Sequence, residues 1–255
     1  MRLTMSFLKC AFLAVALVSL NACNKAQKLD PSITWSSIPI SDSIQASGEI
    51  EEIISPYRDE VDSIMNEVIG FAAHDLNSRG EYESNLGTFV TRLTLEQSRK
   101  VYNQHVDVAL MNHHGGLRAD INQGDVTLGE VFSVMPFENE VLLLEVPGTV
   151  LLEVLERINR SGSSMLWPVE FAVTDDGPKD IVISGKPFSE FSTYILAISD
   201  YLANGGGGLS MLKPVKRLDL QPMKLRAMIV KEIRETTARG ENIDEVVVNN
   251  VKIAR

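Results

Sequence analysis

Two stretches of this chain set glycine among polar and aromatic side chains in a way that could hold a small ligand. The first is Asn112-His113-His114-Gly115-Gly116-Leu117-Arg118-Ala119-Asp120, and the second is Asp200-Tyr201-Leu202-Ala203-Asn204-Gly205-Gly206-Gly207-Gly208. Each follows an apolar run that reads as a strand, and glycine at a strand end lets backbone approach a ligand closely. Taken alone, each is more simply a tight turn. Arg118 offers a planar fork of donors suited to phosphate or base oxygens, against the plainer reading of a surface salt bridge with Asp120. His113, as a neutral imidazole, can give one hydrogen bond. Together with Pro136-Phe137 the two loops become a specific combination.

Other chemistries find little support. The chain has four histidines, His74, His105, His113 and His114. His113 and His114 are adjacent, and in an extended segment they would point to opposite sides and could not chelate one ion together. No Ser-His-Asp arrangement, reactive cysteine, Walker loop or dinucleotide fingerprint is present, and the run Gly205–Gly208 is not followed by Lys-Ser/Thr. The expectation is a chain with no catalytic residues, metal site or cofactor of its own.

The elements that must position these loops follow from hydrophobic periodicity. Glu49 to Leu76 reads as one long helix, with Ile50, Ile53, Ile54, Tyr57, Val61, Ile64, Met65 and Val68 at three- and four-residue spacing and Pro56 starting a turn or kink. A second helix begins near Ser84, a plausible N-cap, and buries Leu86, Phe89, Val90 and Leu93. Val106–Met111 is a strand leading into the first glycine loop, and Thr127–Met135 is helical. Val141–Val146 is a strand, followed by a helix from Thr149 to Ile158. Strands are expected at Val169–Val173, Ile181–Ser184 and Tyr194–Ile198, then a turn at Asn204–Gly208, a helix over Pro222–Arg239 and a last strand at Val246–Val248. Helices and strands alternate, but consecutive strands around 169–198 imply mixed sheets. The fold class is α/β, mixed α+β, with layered mixed sheets and helices.

Four markers in order then carry a family resemblance: Glu83-Ser84-Asn85-Leu86-Gly87; Gly115-Gly116-Leu117-Arg118-Ala119-Asp120; Val126 to Val131 with Ser133-Val134-Met135-Pro136-Phe137; and the Tyr201–Gly208 loop. From about Glu49 to Gly208 the chain resembles the C-terminal, substrate-recognition domain of the 5'-nucleotidase family. That resemblance implies a nucleoside held between two aromatic rings, here Phe137 and Tyr201, with Arg118 as the motif arginine and Gly115 and Gly116 at the ligand. It also implies that the chemistry belongs to a two-metal centre in a separate N-terminal domain. Such a centre needs roughly five or six ligands holding ions about 3.5–4 Å apart, and that domain's Asp-x-His, Gly-Asn-His-Asp/Glu and Gly-His-x-His patterns are absent from this sequence.

Three contact positions depart from the family. His113 stands where the family has asparagine, with Asn112 beside it; Gly207 stands where a carboxylate would hold the ribose; Tyr82 replaces an arginine. Loss of a contact to a buried ribose diol weakens binding by about 1.5–3 kcal/mol if nothing replaces it.

The N-terminus gives the address. Arg2 and Lys9 precede an apolar run from Cys10 to Leu20, far shorter than the roughly 20 residues that cross a bilayer, so residues 1–22 read as a signal peptide. Leu20-Asn21-Ala22-Cys23 resembles the lipobox of bacterial lipoproteins, which implies lipidation of Cys23. The chain has two cysteines, and removing the signal takes Cys10, leaving Cys23 without an intrachain partner. Residues 23–48 read as a polar tether and 49–255 as the domain. The expected location is an exported, membrane-anchored lipoprotein in the periplasm, at the outer membrane or on the cell surface. A net charge of −10 disfavours nucleic acid polymers as partners.

The expected function is the recognition half of a split extracytoplasmic 5'-nucleotidase. Its partners would be a nucleotide or nucleoside and a separately encoded metallophosphatase carrying two divalent metals. Two alternatives stand beside it: a nucleoside-binding or nucleotide-binding lipoprotein without catalysis, and a structural or interaction domain that has lost the ligand.

Overall fold

A central mixed sheet organises the domain, because three of its strands are apolar on both faces. Strand β2 (Val108–Met111) is buried at every position, the signature of a strand covered on both sides. It runs parallel to β9 (Thr193–Ser199), with Leu110 opposite Ile198. β9 in turn pairs antiparallel with β4 (Glu140–Pro147), Val141 opposite Ser199. β5 (Met165–Trp167) closes the far edge against β2. Short strands β10 (Lys216–Arg217) and β11 (Met223–Lys224) both pair with β4.

The computed structural model describes residues 36–37, 39–41, 44–45, 47–218, 220–246 and 250–254. Cys23 and the signal and tether preceding Ser36 lie outside them. The chain divides into two units, Met1–Glu51 and Glu52–Arg255, and the second carries the described sheets.

Alternation along the central strands sends side chains into two cores. Ala109 and Met111 face a cluster with Leu86, Phe89 and Leu93 of α2 (Asn85–Tyr102) and Met228, Ile229 and Ile233 of α7 (Leu225–Ala238). Val108 and Leu110 face the other cluster, with Leu151, Val154, Leu155 and Ile158 of α5 (Gly148–Ser161). Helices thus cover both faces of a mixed sheet, the layered α/β class read from the sequence. A second sheet carries β6 (Val169–Thr174), β7 (Gly177–Ile183), β8 (Lys186–Pro187) and β12 (Val251–Ile253).

Helix starts are specified locally. The Ser84 side chain accepts from Gly87 N, capping α2 as expected. Thr127 and Glu130 form a reciprocal capping box on α4 (Leu128–Val134).

Two expectations require correction, and a third falls mostly outside the described residues. The helix expected over Glu49–Leu76 is α1 (Gly48–Met65), and Val68–Ala72 is instead strand β1, paired antiparallel with β3 (Gly124–Thr127). Pairing with β3 takes this segment out of the helix, and Gly70 lets the strand lie against α7, where a Cβ would be 2.5 Å from Ile233 Cγ2. The C-terminal helix starts at Leu225 rather than Pro222, because Met223 and Lys224 are taken by the sheet. Val246 is irregular and Val247 and Val248 lie outside the described residues; the last strand is Val251–Ile253, parallel to β6.

α1 is unusual. Pro56 lies inside it, where a proline destabilises a helix by about 3 kcal/mol, and none of its residues is buried.

Candidate functional site

Strand direction brings three separate segments to one edge of the central sheet. β2 and β9 are parallel neighbours, so the loops after Met111 and after Ser199 leave from the same edge. β4 is antiparallel to β9, so its entry from Pro136 arrives there too. Ligand sites gather where parallel strands end because loops alone crowd that edge.

The segment after β2 makes one irregular turn, α3 (His113–Gly116), in which Gly115 adopts φ 87°. That left-handed value favours glycine. Asn112 packs against Gly116, where a Cβ would meet Asn112 Oδ1 at 2.5 Å. Arg118 is fastened through its backbone, its N donating to Val134 O at the end of α4. Its guanidinium carbon lies 5.9 Å from the centroid of the Phe137 ring.

The segment after β9 is a short helix, α6 (Asp200–Ala203), capped by Ser199 and carrying Tyr201. The Asp200 carboxylate accepts from Glu140 N at 3.1 Å and from Tyr201 N at 2.9 Å, tying the entry of β4 to this turn. The glycine run folds beneath the Tyr201 ring, and a Cβ on Gly206 would lie 2.5 Å from that ring. Gly205, Gly207 and Gly208 all have positive φ. These glycines therefore serve conformation and close approach rather than phosphate cradling.

These segments enclose a cavity of about 430 Å³. Phe137 and Tyr201 line it and remain 39% and 53% exposed, so both rings are accessible to a ligand. Gly115, Gly116, Arg118 and Gly207 line it as well. So does Asn112, the neighbour of His113 and the alternative at the family's asparagine position, and so do His114 and Asn139, which the sequence did not place at the ligand. Adjacency to the motif was the available signal for His114, and the two-residue step beyond Phe137 was the signal for Asn139.

His113 does not line the cavity. Its ring is fully buried, with Nε2 3.4 Å from Gly80 O. Burial, reinforced by the neighbouring His114, lowers its pKa to about 4, only partly offset by the Gly80 contact. It is a neutral imidazole at neutral pH. Nor do the two rings diverge as expected for an extended segment: His114 Nε2 lies 2.8 Å from the same carbonyl, and the rings meet edge to face at 4.5 Å. The kinked turn at His114 and Gly115 brings them together. Tyr82 is likewise a core residue, 5% exposed, whose hydroxyl donates to Asn159 O.

Asp120 does not pair with Arg118. It accepts from both Ser78 N and Ser78 Oγ at 2.6 Å. Among the described residues no carboxylate forms a salt bridge with Arg118, and none lines the cavity. The site therefore presents one uncompensated cation between aromatic walls, an arrangement suited to a flat ring bearing an anionic group. Among the described residues no three histidine, cysteine, aspartate or glutamate side chains are grouped to hold a metal ion.

A larger groove of about 640 Å³ lies between α4 and α7 and shares Phe137. Its cations are already matched: Arg226 pairs with Glu138, Lys224 with Glu140 at 2.9 Å and Arg234 with Glu67 at 2.7 Å. The smaller cavity, with glycine backbone and an unmatched guanidinium, is the better ligand site.

Residues 68–214 match the model of the 5'-nucleotidase C-terminal domain. The chain belongs to this family. It is 26% identical over 194 residues to the trifunctional nucleotide phosphoesterase protein YfkN of Bacillus subtilis, covering 68% of this chain and 13% of that protein. It is also 26% identical over 197 residues to the cell wall protein Lmo0130 of Listeria monocytogenes, covering 67% of this chain and 25% of the other. A solved 5'-nucleotidase precursor from Thermus thermophilus superposes with a TM-score of 0.65 at 23% identity, over 80% of this chain and 43% of that one. The chain thus spans less than half the length of these relatives.

The family markers acquire physical roles in this fold. Asn85 Oδ1 accepts from Asn77 N at 2.6 Å while its Nδ2 donates to Asp75 O at 2.8 Å, stapling the loop before α2. Gly87 permits α2 to lie against Met165 and His113, since a Cβ there would meet Met165 Sδ at 2.7 Å. Most of the motif residues hold the edge of the sheet together, and a minority face the cavity.

Proposed function

We propose that this domain is the nucleotide-recognition half of a split extracytoplasmic 5'-nucleotidase. Phe137 and Tyr201 grip the base, Arg118 engages an anionic group, and a separately encoded metallophosphatase with two divalent metals performs hydrolysis. Lipidation of Cys23 would hold the module at a membrane, where tethering raises the effective concentration of a partner. The observation that supports this most is the convergence of three sequence segments on one cavity with two half-exposed aromatics and, among the described residues, an arginine without a salt bridge and no lining carboxylate.

Stacking contributes about 1–3 kcal/mol per base and tolerates any base. A charge-assisted hydrogen bond adds about 1.5–3 kcal/mol. With Gly207 offering no acceptor for a ribose diol, affinity depends on the rings and the anion. Nucleoside monophosphates should therefore bind at least ten-fold more tightly than nucleosides, and Arg118→Ala should erase that preference. Calorimetry with both ligands measures it; equal affinities in the parent would remove Arg118 from the ligand.

The catalytic half of the proposal is tested by mixing the lipidated chain with the candidate metallophosphatase and measuring release of phosphate from nucleoside monophosphates. Hydrolysis is expected to rise on addition of this chain and to stay low without it. Hydrolysis no greater with the chain present would sink the split-enzyme reading.

The glycine loop makes a separate prediction. Gly206→Ala puts a methyl group into the space of the Tyr201 ring, and that half-exposed ring must swing away to admit it. We expect nucleotide affinity to fall by at least five-fold while the thermal midpoint stays within a few degrees. An unchanged affinity would mean that the Tyr201 ring is not positioned by this loop.

A further inference from the structure

α1 carries an apolar stripe that nothing in the described chain covers. Ile53, Ile54, Tyr57, Val61 and Ile64 recur at three- and four-residue steps, and each is between 39% and 69% exposed. Such spacing places them on one face of a helix. An isolated helix of this length is marginal in water, and an interior proline makes it more so. Its stability calls for a partner on that face.

Three observations select the partner. First, the helix is acidic: Glu49, Glu51, Glu52, Asp59, Glu60 and Asp62 stand against Arg58. A second copy would bring like charges together, and an anionic lipid surface would repel it. Second, α1 ends at Met65, and the match to the family's C-terminal domain begins at residue 68. The matched family model is that of a C-terminal domain, so in a chain that carries a preceding domain the junction falls on the side where α1 lies. Third, α1 adjoins the groove that shares Phe137 with the candidate site. Leu128 N donates to Glu67 O at 2.9 Å, Glu67 pairs with Arg234, and a Cβ on Gly129 would sit 3.0 Å from Met65 O. Leu128, Arg234 and Phe137 line the groove, and Phe137 lines the ligand cavity as well.

We infer that α1 is the docking helix for the separately encoded metallophosphatase, which covers the Ile54–Tyr57–Val61–Ile64 stripe with an apolar surface bordered by lysine or arginine. The inference rests on the split-enzyme reading above and adds the place of contact. A partner seated there would reach along the groove toward Phe137, the wall shared with the ligand cavity.

The test uses the full chain in the cell that makes it, with the photocrosslinking residue p-benzoylphenylalanine placed at Tyr57 or, as a control, at the fully exposed Phe191. Irradiation should link position 57, at least ten-fold more than position 191, to a polypeptide that mass spectrometry identifies as a metallophosphatase. The double variant Ile54→Asp, Val61→Asp should lose co-purifying divalent-metal-dependent phosphatase activity by at least ten-fold and keep the parent's nucleotide affinity. Crosslinking of position 57 to a second copy, to lipid or to nothing would overturn the inference. A metallophosphatase captured from position 191 but not from 57 would also overturn it, while leaving the split-enzyme reading intact.

Discussion

Replacing Tyr201 by leucine is expected to weaken nucleotide binding by about ten-fold or more, whereas Tyr201→Phe should retain most of the affinity. The ring rather than the hydroxyl is the proposed contact, because that hydroxyl only receives a long 3.4 Å hydrogen bond from Gly207 N. Stacking contributes about 1–3 kcal/mol, and each 1.4 kcal/mol is ten-fold in affinity. Phe137→Ala should fall in the same range. The two losses should not add, since two walls of one cavity share a single ligand and removing either one loosens what the other can hold. Calorimetric titration of these variants and the double truncation with a nucleoside monophosphate separates the cases. If both single truncations bound as tightly as the parent, the aromatic walls would not be gripping a base, and the nucleotide reading would go with them.

The same cavity explains why one substitution should strengthen binding. Gly207 lines it with φ 63°, a value that aspartate tolerates better than most residues. The nearest atom to an added Cβ is Leu202 Cδ2 at 3.2 Å, the flexible end of a side chain. On the proposed reading, Gly207→Asp adds to this lining a carboxylate that accepts from a ribose diol, and calorimetry with a nucleoside monophosphate should show tighter binding than by the parent.

Legibility differed between the parts of this molecule for physical reasons. α2, α5, β4 and β9 could be read in advance because each has a sustained period of one kind and is bounded by caps or turn residues. β1 could not, because Val68 continues the three- and four-residue steps of α1 and the signal for extension is the contact of Gly70 with a helix far later in the chain. The loops at the site were legible as a group, through glycine at strand ends and the motif order. Their side-chain directions were not. Which of two adjacent histidines enters the cavity is decided by the left-handed Gly115, whose dihedral no residue spacing reveals. Arg118 and Asp120 sit two apart in sequence and would have been paired on that basis, yet Ser78, remote in the chain, takes the aspartate. The stripe on α1 was read correctly as a helical face, but periodicity reports that a face is apolar without reporting what lies against it.

His113 should make the domain's stability depend on pH in a defined window. Its folded pKa is lowered to about 4 from an ordinary value of 6.5. The cause is first its burial and then the neighbouring His114, edge to face at 4.5 Å. Between these values the unfolded chain binds a proton that the folded chain excludes, so stability rises with pH across the window and falls as the solution is acidified from about 6.5 toward 4. The full excursion corresponds to about 3 kcal/mol, and below pH 4 the penalty is constant because both states are protonated. Other groups titrate in the same range, so the informative quantity is the difference between the parent and His113→Asn, which has no proton to exclude. Urea unfolding at pH 7 and pH 4.5 should show the parent losing about 2–3 kcal/mol more than the variant. Among the described residues His113 Nδ1 has no hydrogen-bond partner, so the asparagine need not replace a bond there, and the variant's stability at pH 7 is not expected to collapse. Equal acid sensitivity in the two proteins would show that the His113 ring is solvated or carries a proton in the native state. It would also reopen the question of which histidine faces the ligand.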